Sequence, residues 1–64
     1  MVDLMIITNR RFETAAVNAE SDAGLTWLNE HMVSVQDGTI TVSLEGAVDI
    51  ERDATKAGLK VGTR

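Results

Sequence analysis

This chain of 64 residues contains no cysteine. No disulfide can staple it, and no thiolate can ligate a metal. A chain this short buries only about 60% of the surface its unfolded form exposes, so the fold is marginal without a partner or unusually good packing. The missing cysteine also suits a reducing compartment, and a cytoplasmic protein is expected. Aromatic side chains are scarce: one tryptophan, one phenylalanine and no tyrosine. That argues against a stacking platform for bases, which needs several aromatics among basic residues. No run approaches the roughly 20 apolar residues of a membrane span. The apolar start, residues 2–8, is too short for a signal peptide, and Asp3 stands where a basic segment would be.

Motifs that carry chemistry are missing too. No serine sits in a Gly-x-Ser-x-Gly elbow, and the glycines do not form a phosphate loop. His31 is the only histidine, so a histidine or cysteine metal site cannot be completed. Its place near a helix end suits a protonated imidazole facing the negative end of the dipole. Asp49 and Asp53 lie one helical turn apart and read as a solvated face rather than a catalytic dyad. The expectation is a protein that is not an enzyme and uses no cofactor or metal.

The most telling absence is of base. From Phe12 to Glu51 the chain runs forty residues without lysine or arginine. Eight acids fall in that window: Glu13, Glu20, Asp22, Glu30, Asp37, Glu45, Asp49 and Glu51. Arg10 and Arg11 precede it; Arg52, Lys56, Lys60 and Arg64 follow. A net charge of −4 argues against direct nucleic-acid binding, which needs cations to displace counterions. Uncompensated acids instead sum into a negative field that steers a basic partner. Local duties explain some of them. Asp37 belongs to a turn, Asp22 to a helix start, and Asp49 and Glu51 stand near Arg52 and Lys56. Glu13, Glu20, Glu30 and Glu45 have no positive neighbour in sequence.

Hydrophobic residues make up 44% of the chain, too many for intrinsic disorder at this net charge. Residues 4–8 read as a strand buried on both faces or nearly so, and residues 12–19 as a second strand antiparallel to it. Ser21 and Asp22 open a helix, where a serine caps free amides and an acid suits the dipole. Leu25, Leu28 and Met32 form its apolar stripe, with Trp27 and His31 in an adjacent row. Asp37-Gly38 between alternating runs marks a two-residue hairpin, so residues 33–36 are a candidate short strand before the strand at 39–44. Ala47, Ile50, Ala54 and Ala57 mark a second helix over about 46–57, ended by Gly58. Leu59 and Val61 suggest an edge strand in the tail. The expected architecture is one α+β domain, residues 1–64, in the order β-β-α-β-α. Two helices would cover one face of a small antiparallel sheet. The expected core is Leu4, Ile6, Val17, Leu25, Leu28, Met32, Ile40, Val42, Leu44, Ile50 and Ala54.

The segment Ser21-Asp22-Ala23-Gly24-Leu25-Thr26-Trp27-Leu28-Asn29-Glu30 looks like the first helix of many small uncharacterised bacterial and phage proteins. The later Ala57-Gly58-Leu59 ending has the same character. By size and charge the chain resembles phage-encoded inhibitors, including anti-CRISPR proteins, several of which present acidic surfaces to nucleic-acid-binding grooves. The functional expectation is therefore a binding protein that docks on a basic groove of a larger protein. Glu20, Asp22, Glu30, Asp37 and Glu45 would make the contact, with Trp27 as an apolar anchor if it is exposed. The alternative is a homodimer built on an exposed sheet edge or helix face, with acids that serve only solubility. No membrane partner is expected.

Overall fold

A computed structural model describes residues 2–31 and 35–64. In chain order the elements are β1 (Leu4–Asn9), β2 (Thr14–Ala19), α1 (Asp22–His31), β3 (Thr39–Ser43), α2 (Leu44–Lys56) and β4 (Val61–Thr63). The strands form one sheet in the order β3-β2-β1-β4. β2 lies antiparallel to both β1 and β3, with Ile6 opposite Val17 and Val17 opposite Ile40. β4 runs parallel to β1, so the sheet is mixed rather than purely antiparallel. The 13 residues of α2 carry the chain about 20 Å, the length of the sheet. The tail therefore re-enters at the end where β1 begins and must run beside it in the same direction.

Side chains alternate across each strand, which assigns residues to faces. Leu4, Ile6, Ala15, Val17 and Ile40 point to one face and are buried there with Trp27, Leu28, Ala47, Ile50 and Ala54. Both helices pack on this face. Val42 and Leu44 are only partly buried against the core, and Met32 lies outside the described residues. The opposite face carries the cross-strand rows Met5–Asn18–Thr39 and Ile7–Ala16–Thr41. So β1 is buried on one face only, not on both.

Several boundaries differ from those expected. β2 starts at Thr14, because Glu13 adopts a left-handed backbone (φ 53°) that breaks the strand. Phe12 therefore sits in the loop tip, 66% exposed, with the Arg11 guanidinium 5.7 Å from its ring centre. Leu44 belongs to α2 rather than β3, because the Ser43 hydroxyl accepts from the Gly46 amide and starts the helix at Leu44, two residues before the expected start at 46. The hairpin is present as a single bridged pair: Gln36 and Thr39 exchange both backbone hydrogen bonds around Asp37-Gly38. Both turn residues have positive φ, 53° and 75°, as a type I′ turn requires. The strand expected at 33–36 is otherwise not formed at 35–36, and 33–34 lie outside the described residues. At the end of α2, Leu59 N–H donates to the Ala54 carbonyl and Gly58 N–H to the Thr55 carbonyl. This double bond pattern closes the helix and folds Leu59 back onto the core.

The first turn of α1 sets the helix rotation. Gly24 is buried against β1, and a Cβ built on it would fall on the Asp3 carbonyl oxygen. Only glycine permits this approach. With Gly24 facing inward, Trp27 and Leu28 follow at i+3 and i+4 and become the buried face. Leu25, one position away, is turned outward and stands 37% exposed, contrary to its expected place in the core. Alanine is intrinsically the better helix residue by about 1 kcal/mol. Gly24→Ala nevertheless should destabilise the fold by roughly 1–3 kcal/mol, because β1 and α1 must separate to admit the methyl group. Urea denaturation would read this, and an unchanged or raised midpoint would refute the contact.

Candidate functional site

Asp3 organises the end of the sheet where the acidic residues gather. Its carboxylate accepts from the Ser21 hydroxyl at 2.6 Å and from the Lys60 backbone amide at 2.9 Å. Ser21 in turn accepts from the Gly24 amide at 3.0 Å, so one hydroxyl both caps α1 and ties it to β1. The Asp3 backbone adds two bonds, donating to the Lys60 carbonyl and accepting from the Glu20 amide, each at 2.8 Å. This one residue thus joins β1, the β2–α1 corner and the α2–β4 connection.

Those bonds place the acids. Glu20 is held at the corner by its amide bond to Asp3, and Asp22 opens α1 directly after the cap. Asp37 arrives from a distant part of the sequence. The Ala19 amide donates to the Gly38 carbonyl at 2.8 Å, which docks the hairpin tip beside the end of β2. Glu20, Asp22 and Asp37 consequently line one open depression, with Leu25, Ser21 and Gly38 between them. Asp22 also borders a second depression along α1, shared with Glu30, Trp27 and Leu59. Four of the five expected acids therefore form a continuous band over α1 and the adjoining corner. Among the described residues the ion pairs are Arg52–Asp49 at 3.1 Å and Arg52–Asp53 at 3.6 Å, and none involves the band.

Glu45 is not part of it. It lies at the start of α2, at the opposite end of the sheet, where it shares a shallow depression with Glu13 and Ser43. The chain separates the two groups by the length of a strand, because β2 begins next to Glu13 and ends next to Glu20. Trp27 is the second correction. It is 8% exposed, packed in the core and stacked on His31 with ring centres 4.4 Å apart. His31 Nδ1 lies 2.8 Å from the Trp27 carbonyl oxygen. Gly24 rotates Trp27 inward, so it lacks the exposure of an interface anchor. Leu25, 37% exposed, is the large apolar side chain on the rim between the acids. No sequence signal marked it, since its spacing with Leu28 pointed to the core.

No helix of the described chain is long and apolar enough to cross a membrane. Among the described residues no three histidine, aspartate or glutamate side chains gather as metal ligands would. Comparison with known proteins finds no matching family model, curated protein or solved structure.

The Asp3 carboxyl is held below its ordinary value of 3.8, first by the Lys60 amide bond and then by the Ser21 hydroxyl. A lowered folded-state value means that the unfolded chain takes up the proton more readily. The stabilisation by Asp3 is therefore complete above 3.8 and is lost as pH falls below it through the folded-state value. Between about pH 6 and about pH 2.5, Asp3→Asn should lose less stability than the parent, starting from a lower denaturation midpoint. Equal acid limbs for the two proteins would show that Asp3 does not couple folding to pH.

Proposed function

We propose that this protein is a non-enzymatic binder that docks its acidic band onto a basic groove of a larger protein and occludes it. The observation that carries this is the convergence of Glu20, Asp22 and Asp37 around one depression, with no cation in ion-pair reach among the described residues. Glu20 and Asp22 neighbour each other at the β2–α1 corner, and Asp37 joins them from a hairpin tip distant in sequence. Glu30 extends the band along α1, and Leu25 supplies apolar area at its centre. Carboxylates around a half-exposed leucine suit a groove that otherwise binds phosphates, because both ligands answer to lysine and arginine. Such a partner is a nucleic-acid-binding protein, and the effect of docking is inhibition. A phage-encoded inhibitor of the anti-CRISPR kind fits this chemistry, and a cytoplasmic site of action follows from it. Electrostatic steering would dominate the association rate, and Leu25 would contribute mainly to residence time.

The experiment is affinity capture on the immobilised protein at about 50 mM salt with elution at about 300 mM, a range over which exposed charge interactions are strongly screened. The comparison protein carries Glu20→Gln, Asp22→Asn and Asp37→Asn, changes that keep side-chain shape and suit the turn and the helix start. The parent should retain basic proteins that the triple variant releases. For a captured partner, the association rate should fall at least about tenfold in the variant and lose most of its salt dependence. Leu25→Ala should raise the dissociation rate by roughly tenfold with little effect on association. Identical capture and identical salt dependence would leave the acids with a role in solubility only, as in the homodimer reading.

A further inference from the structure

We propose that the cleft between α2 and the paired strands β1 and β4 binds a small aliphatic α-amino acid. Two periodicities build its walls. Leu44, Ala47, Val48 and Glu51 recur at i, i+3, i+4 and i+7, so they share one side of α2. Ile6 and Thr8 share the helix-covered face of β1, and Arg10 follows that row beyond the strand end. Thr63 lies opposite Ile6 in the parallel register. These side chains enclose about 190 Å³. The floor is dry: Ile6 is 2% and Ala47 4% exposed, and Leu44 packs against the core. The rim is wet, since Thr8, Arg10, Val48, Glu51 and Thr63 are exposed.

Charge selects the occupant. Arg10 and Glu51 are the charged groups on the rim, one of each sign. The ion pairs among the described residues belong to Arg52, so Arg10 and Glu51 share a rim without meeting. A ligand with only a carboxylate would face Glu51, and one with only an amine would face Arg10. A phosphate would find one cation with an acid beside it. A zwitterion meets neither repulsion. Its carboxylate takes the Arg10 guanidinium fork, and its ammonium takes the Glu51 carboxylate. The Thr8 hydroxyl donates to the Arg64 carbonyl at 3.3 Å, which leaves its oxygen to accept from the same ammonium.

Size and apolar lining select the side chain. A water's share of liquid volume is about 30 Å³, so the cavity holds about six water-sized groups. That matches the carbon skeleton of leucine or isoleucine, with the charged atoms left at the rim. It is less than the roughly 300–1,000 Å³ of sites for larger ligands, which excludes a nucleotide. Val48 is 64% exposed, and an aliphatic occupant would give it an apolar contact.

The test is an amide-shift titration of the whole chain with L-leucine up to about 20 mM. Saturable shifts should centre on Thr8, Ala47, Val48 and Thr63, with Kd on the order of 1 mM for so small a ligand. Three analogues probe the three recognition elements on the parent. Isocaproate lacks the amine, isoamylamine lacks the carboxylate, and glycine lacks the side chain. Each should bind at least about tenfold more weakly than leucine. Arg10→Gln should weaken leucine at least about tenfold and spare isoamylamine, and Glu51→Gln should weaken leucine as much and spare isocaproate. Both side chains are exposed, and circular dichroism checks each fold. An absent or unsaturable shift overturns the proposal, as do shifts centred elsewhere, analogues that match leucine, or folded variants that bind it like the parent. If a variant fails to fold, the analogue series on the parent decides. Glu20 is bonded at the start of β1 and Arg10 follows its end, so this result stands apart from the partner-binding reading.

Discussion

The tight approach of Gly24 in α1 to the Asp3 carbonyl, just before β1, where a Cβ would collide, is the constraint on which the rest depends. It is reinforced by the Asp3 carboxylate, which receives the Ser21 hydroxyl that caps the same helix turn. A missing side chain and a half-buried polar relay therefore act at one place. The helix has no freedom to slide or roll without losing the cap or colliding with the strand. Because Asp3 also binds the Lys60 amide and carbonyl, the start of β4 is anchored by the residue that anchors α1.

Two structural consequences descend from that anchor. The first is the exchange of roles between Trp27 and Leu25. A helix has one face per rotation, and Gly24 chooses the rotation that buries Trp27 and Leu28 and turns Leu25 out among the acids. The second is the convergence of Glu20, Asp22 and Asp37. Asp3 holds the corner that carries the first two, and the Ala19–Gly38 bond brings the third from the hairpin tip. The resulting band stays without ion-pair partners among the described residues, while Arg52 is taken up by Asp49 and Asp53 on the exposed side of α2.

Much of the fold was legible because its signals are local. A short apolar, partly β-branched run marked β1, alternation marked β3, Asp37-Gly38 marked a tight turn, and the three-to-four spacing of Ala47, Ile50 and Ala54 marked the buried stripe of α2. Gly58 followed by Leu59 announced the helix end, and the observed bond pattern is the one such a pair makes. The failures share a cause. Phe12 continued an alternating pattern but fell in a loop, because a left-handed Glu13 ended the strand. Leu44 continued the alternation of β3 but was claimed by the cap at Ser43. The β4 direction depended on where α2 delivered the chain, and no residue in the tail encodes that.

The amino-acid sequence by itself determined the α+β class, the element order through α2, most of the core and the separation of acids from bases along the chain. Those follow from periodicity, turn chemistry and composition, which act over a few residues at a time. Only the tertiary structure decided which acids share a surface, that Glu45 stands apart from the rest, and that Leu25 rather than Trp27 faces outward. Each of these depends on a contact between residues far apart in sequence, Gly24 with Asp3 or Ala19 with Gly38. Spacing along the chain cannot reveal such a contact, because its energy exists only once the sheet and the helix have been brought together.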